Sequence, residues 1–158
     1  MTYDSRAVAN RFLKLAHDHT VGISPMKLLK LVYFAHGWNL ALTGEPLISE
    51  LVEAWEYGPV VRTLYFEFRR FGDKPIGQPA SILSAFEIPE CDAEHDYTRR
   101  LLNRIWDAYG RFTAIQLSTM SHDPGGPWSM ARQHNPGVKS PVIPNEQIRD
   151  YFAKQLTA

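Results

Sequence analysis

The sequence predicts a mainly α-helical fold, a compact bundle of about six or seven helices around one central buried helix, with a small antiparallel β element. Three observations predict it. The 17 residues from Met26 to Leu42 include 12 apolar ones spread over every helical face, as in a helix enclosed by others. Apolar residues recur at three-and-four spacing in segments on both sides of that run. From Glu50 the pattern switches to alternation, the period of a strand. With 158 residues the chain has the length of one ordinary domain and can bury roughly 70% of its unfolded surface, so a single domain over 1–158 is expected.

The elements follow in order. Asp4 or Ser5 caps a first helix whose Val8, Phe12 and Leu15, with Ala9, Leu13 and Ala16, form one apolar stripe. Ser24-Pro25 reads as the cap and first-turn proline of the central helix, and Thr43-Gly44-Glu45-Pro46 as its stop. Leu51, Glu53, Trp55 and Tyr57 share one side of a short strand. Gly58 and Pro59 then turn the chain into a third helix, expected from Pro59 to about Phe71, with Val61, Leu64, Tyr65 and Phe68 inward. Residues 73–91 read as a loop with one or two short strands, carrying Ile76, Ile82, Leu83, Phe86 and Ile88.

Asp92, Glu94 and Asp96 place negative charge at the start of an amphipathic helix that ends at Gly110. Thr113 and Gln116 have the spacing of a capping box. The run HDPGGP, 122–127, is a turn from which Pro127 opens a short helix through Trp128 to Arg132. NPGVKSPVIP reads as irregular, and Asn145 to Leu156 as a last helix with Ile148, Tyr151, Phe152 and Leu156 inward.

Composition excludes several classes of function. Lys plus Arg and Asp plus Glu number 17 each, so no net field draws the chain to nucleic acid or an anionic membrane. One cysteine, Cys91, permits no internal disulfide, in keeping with a reducing, cytoplasmic setting. MTYDSRAVANRF lacks a basic segment followed by an apolar run, so it does not read as a signal peptide. The central apolar stretch contains Lys27, Lys30, His36 and Asn39, too polar to span a bilayer.

The usual phosphate-loop, dinucleotide, nucleophile-elbow and zinc-protease motifs are absent. His17 and His19 read as solvated rather than as metal ligands, and Cys91 with His95 as an inert thiol beside a loop histidine. His36 is expected to be a core imidazole bonded to a backbone carbonyl or to Tyr57. Gly37 costs helix propensity, so a neighbour should press against the backbone there. His122 either anchors its turn or lines a pocket with Trp128. If the third helix turns Val61, Leu64, Tyr65 and Phe68 inward, then Arg62, Phe66, Arg69 and Arg70 lie on its other side, an aromatic among arginines of the kind that dominates protein interfaces. The alternative is a solvated basic face with Phe66 tucked against residues 73–90.

The run KLLKLVYFAHGWNLALTGEPLISELVEAWEYGPVVRTLYFEFRRFG, 27–72, resembles the phage-associated SocA-like Panacea domain, an antitoxin family, which reads K-L-x-K-L-[LV]-Y-[FY]-A-H-G-W, T-G-x-P-L, E-A-W-x-Y-G-P-V and an aromatic-rich helix. IWDAYGRFTAIQLSTMSHDPGGPWSMAR is similar to the family's second half. Ser121 stands where the family often has Thr, and 75–91 matches no part of the pattern. The resemblance implies a mostly helical fold with a small β element and a place in a toxin–antitoxin system, where the domain neutralises a cognate protein toxin. Its signature positions here are Tyr33, His36, Gly37, Trp38, Trp55, Tyr57, Gly58, Pro59, His122, Pro127 and Trp128, expected to be mainly structural. No catalytic role transfers with them, and no cofactor or metal is expected.

From this reading follow a partner toxin, direct binding through Arg62, Phe66, Arg69 and Arg70, delivery to a cellular protease as a further route, and neither membrane nor nucleic acid as partner. An enzyme that modifies its partner and a nucleic-acid-binding regulator are the competing readings. EAWEYGP, 53–59, is expected to be a strand-to-helix joint in which Trp55 and Tyr57 pack toward the Tyr33–Trp38 helix.

Overall fold

Seven α-helices and a three-stranded sheet form among residues 2–80, 88 and 95–157, the residues described in a computed structural model. Helix α1 spans Ser5–Asp18, and Asp4 caps it, accepting from the Arg6 backbone N–H at 2.9 Å. Its buried face is the expected stripe of Val8, Ala9, Phe12, Leu15 and Ala16. Helix α2, Pro25–Thr43, is the central element. Ser24 caps it, Pro25 opens it, and Gly44 closes it in the left-handed region at φ 78°. Its buried residues include Leu28, Leu31, Tyr33, Phe34, Ala35 and Leu40, with α1 and the helices Asp96–Tyr109, Ala114–Ser121 and Asn145–Leu156 packed around it.

Gly37 explains how α7, Asn145–Leu156, reaches that core. A Cβ at Gly37 would lie 2.2 Å from Cε2 of Phe152, so the ring of Phe152 rests on bare helix backbone. There it meets Tyr33, Phe34 and Trp38 edge-on, at centroid distances of 5.9, 6.1 and 5.3 Å. Ile148 and Phe152 are buried as expected. Leu156 is 51% exposed, because it occupies the last turn of α7, beyond Phe152, which is that helix's last buried residue.

The β element is larger than the sequence reading had it. Strand β1, Val52–Trp55, turns through Glu56 and Tyr57 into β2, Gly58–Val60, and also pairs with β3, Val142–Ile143, giving the antiparallel order β2-β1-β3. NPGVKSPVIP therefore contains a strand. Pro59 sits in the edge strand β2 opposite Ala54 instead of opening a helix. That place suits it, since the neighbouring pairs Trp55–Gly58 and Glu53–Val60 carry the ladder and no N–H is asked of residue 59. Helix α3 consequently begins at Arg62, runs to Phe68 and tightens into a 3-10 turn, Arg69–Phe71.

Helices α4, Asp96–Tyr109, α5, Ala114–Ser121, and α6, Pro127–His134, complete the set. Both halves of the capping box form, with Thr113 Oγ1 accepting from Gln116 N–H at 3.1 Å and Gln116 Oε1 accepting from Thr113 N–H at 2.8 Å. Residues 73–80 form no strand. The expected side chains of Ile82, Leu83, Phe86, Cys91, Asp92 and Glu94 lie outside the described residues.

Candidate partner-binding face

The β1–β2 hairpin and α3 bring most of the aromatic and arginine residues singled out by sequence to one side of the molecule. Tyr57 is in the turn, 68% exposed, and shares no strand face with Trp55. Trp55 is half-buried, and its ring meets Tyr65 at 4.8 Å while its carbonyl accepts the Trp128 indole N–H at 2.7 Å. Trp55 and Tyr57 thus divide between a packing role and a surface role, rather than both packing toward α2.

On α3, Leu64 and Phe68 are buried, Tyr65 is half-buried, and Phe66 is 49% exposed with the Arg69 guanidinium 4.8 Å from its ring centre. Arg62 is already engaged, donating from Nε and Nη2 to the two carboxylate oxygens of Glu53 at 3.0 and 2.8 Å beside the Trp55 ring. That guanidinium, with burial opposing it, holds the Glu53 carboxyl below the usual range. Arg70 lies over Phe71 at 4.6 Å and donates to the Glu67 carbonyl at 2.9 Å. Phe66 and Arg69 are therefore the exposed pair least committed to the fold.

The other signature residues serve the interior. Tyr33 is buried, and Trp38 donates its indole N–H to the Tyr109 hydroxyl at 2.8 Å. The His122 ring meets that of Trp128 at a tilt, with centroids 4.0 Å apart, and its Nδ1 pairs with the Ser118 carbonyl, so it anchors the turn that Pro127 follows.

His36 is a core imidazole with different partners from those expected. Its Nδ1 accepts the Leu47 backbone N–H at 3.3 Å, which puts the proton on Nε2, and that N–H donates to Asn145 Oδ1 at 3.0 Å. Burial, opposed by the bond to Asn145 and the Glu50 charge, pushes its pKa below the ordinary 6.5. The unfolded chain then binds the proton first as pH falls, so stability drops below pH 6.5. Urea titrations at pH 7 and 5 are expected to show this loss, and Asn145→Ala to cost about 1 kcal/mol at pH 7. An unchanged midpoint in the Asn145 variant would remove the bond from the account.

Sequence reasoning missed Lys30. It is 2% exposed, lies under the hairpin and donates to the Pro59 carbonyl at 3.1 Å. Gly58, at φ 122°, leaves the space its ammonium occupies, since a Cβ there would stand 2.7 Å from Nζ. The available signal was a lysine in the middle of an otherwise apolar helix.

The chain belongs to the family described as antitoxin SocA-like, Panacea domain, which matches residues 28–129, a span that holds the hairpin, the arginine-aromatic helix and the signature residues. It is 36% identical to Antitoxin SocA of Caulobacter vibrioides (strain NA1000 / CB15N), over 96% of this chain and 84% of that protein. No solved structure matches it. Among the described residues no helix is long and apolar enough to cross a membrane, and no cluster of three or more His, Cys, Asp or Glu side chains could hold a metal ion.

Proposed function

We propose that this chain is the antitoxin of a toxin–antitoxin pair, a single cytoplasmic domain that neutralises a cognate protein toxin by binding it directly, with delivery to a cellular protease as a further route. Family membership supports the antitoxin role and a non-enzymatic mode of action. The observation that carries direct binding is the exposed Phe66–Arg69 pair beside the exposed Tyr57, residue types that supply most of the energy of protein interfaces.

The test begins with the tagged chain, captured from its host with whatever binds it, and with a growth assay of each copurifying protein. A protein that arrests growth alone and is harmless at equal expression with this chain is the expected toxin. Titration should then end at one-to-one. With the two purified proteins and no protease present, neutralisation by much less than one equivalent would instead show turnover, and the modifying-enzyme reading would replace this one. A toxin half-life that shortens only when both proteins and the host protease are present would establish delivery.

Phe66→Ala and Arg69→Glu are each expected to weaken the complex by about 2 kcal/mol, some thirtyfold in Kd, with unchanged melting of the free protein. Isothermal titration reads this directly. Full affinity in both variants would place the interface on another face.

A further inference from the structure

A groove of about 630 Å³ lies between the first turns of α2, the β1–β2 hairpin, the 3-10 turn after α3 and the segment before β3. Its apolar lining includes Leu29, Trp55, Tyr57 and Tyr65. Its charged lining is lopsided, with Lys30, Arg69, Arg132 and Lys139 against the single acid Glu56. None of these four cations has a carboxylate within ion-pair distance among the described residues, in a chain whose total charge is zero.

Lys30 distinguishes this groove from a basic surface patch. Its side chain is almost wholly buried, and the Pro59 carbonyl is its one hydrogen-bond acceptor among the described residues, leaving two of three ammonium N–H groups without a protein partner. A desolvated cation with spare donors beside an open groove is complementary to a single anion. Arg132 is held in place by its own bond to the Ala54 carbonyl at 3.0 Å, and its guanidinium lies over Trp128 at 5.5 Å. Arg69 and Lys139 are exposed at the rim.

The edge strand limits how a partner can dock. Strand β2 presents only the Pro59 carbonyl outward, Lys30 already occupies it, and residue 59 has no N–H to offer. A fourth strand therefore has no foothold there, and recognition must run through side chains. One enclosed ammonium among aromatic and aliphatic walls fits one carboxylate with an apolar neighbour, whereas a nucleic-acid strand would call for a row of accessible cations along its phosphates.

We propose that this groove is a specificity pocket for an acidic segment of the partner protein, a Glu or Asp carboxylate meeting the Lys30 ammonium while an adjacent aromatic or aliphatic side chain lies against Trp55, Tyr57 and Tyr65. The proposal rests on the binding role given above and names the chemistry of the partner at a second position, continuous with Phe66 through Arg69.

The test uses the whole chain and needs no toxin. A displayed library of linear peptides about twelve residues long is selected on the wild type and counter-selected on Lys30→Met. The expected winners carry Asp or Glu beside a large apolar residue. Fluorescence polarisation should show at least tenfold weaker binding when that acid becomes Gln or Asn, and again in Lys30→Met. Arg69→Gln, altered only at the exposed rim, should weaken it several-fold and guards against a folding defect in the buried variant.

Winners without an acid, or acidic winners that bind both variants as tightly as the wild type, overturn the proposal. So does a thymidine dodecanucleotide that binds more tightly than any peptide, needs Lys30 and falls away steeply with salt. The two readings fail separately. Peptide capture with no toxin neutralised leaves the groove and removes the antitoxin role, whereas neutralisation at full strength by Lys30→Met leaves the role and removes the groove.

Discussion

Gly37→Ala is expected to cost 3 kcal/mol or more and to leave little folded protein, although alanine is the better helix former by about 1 kcal/mol. The added methyl would stand 2.2, 2.4 and 2.7 Å from three carbons of the Phe152 ring, where ordinary contact begins near 3.4 Å. Either α7 moves away by more than 1 Å or the ring leaves the core. Movement of α7 also breaks the bond between Asn145 and His36, and expulsion of a buried Phe costs about 3–5 kcal/mol, which bounds the effect. Denaturant titration measures it. The diagnostic variant is the double one, because Phe152→Leu vacates the space the methyl needs. Gly37→Ala should cost far less in that background, a coupling above 1 kcal/mol. A single variant within 1 kcal/mol of the wild type would show that α7 is not seated on the backbone of α2.

Gly37 was legible in the sequence for a local reason, as were the central helix and the capping box. A glycine inside an apolar helix requires a close neighbour, and Thr113 and Gln116 satisfy one another without help from elsewhere. What the sequence hid depends on distant segments. The bond from His36 to Asn145 spans 109 positions, so no local pattern could choose that partner over a carbonyl or Tyr57. Strand β3 is two residues long and exists because β1 has a free edge for it, which is why a proline-rich stretch looked irregular. Pro59 fits a first helical turn and an edge strand equally well by its own geometry, and the pairing of Ala54 with it decides between them. The exposed arginine face was read correctly from periodicity, but periodicity could not show that Arg62 is spoken for by Glu53 while Arg69 is not.

Lys30→Met is expected to raise stability at pH 7 by about 2 kcal/mol while weakening capture of an acidic partner. Burial lowers the Lys30 pKa from 10.5 to about 8. The unfolded chain holds its proton up to about 10.5 and the folded chain releases it from about 8, so between those values the unfolded state binds more protons and stability rises with pH. Below pH 8 the whole penalty is present, about 3 kcal/mol for a shift of that size. Methionine keeps the reach of the side chain and removes the charge, at the loss of the bond to the Pro59 carbonyl, worth about 1 kcal/mol. Urea titrations of both proteins from pH 7 to 9.5 separate the terms. The difference between them should shrink as pH rises through 8, and contributions from tyrosines, whose pKa values burial raises here, cancel in the comparison. A methionine variant less stable than the wild type at pH 7 would instead make Lys30 the clamp that holds β2 through Pro59. A more stable variant that no longer holds an acidic peptide would show a fold that keeps a desolvated cation at a cost to its own stability, because the partner supplies the missing charge.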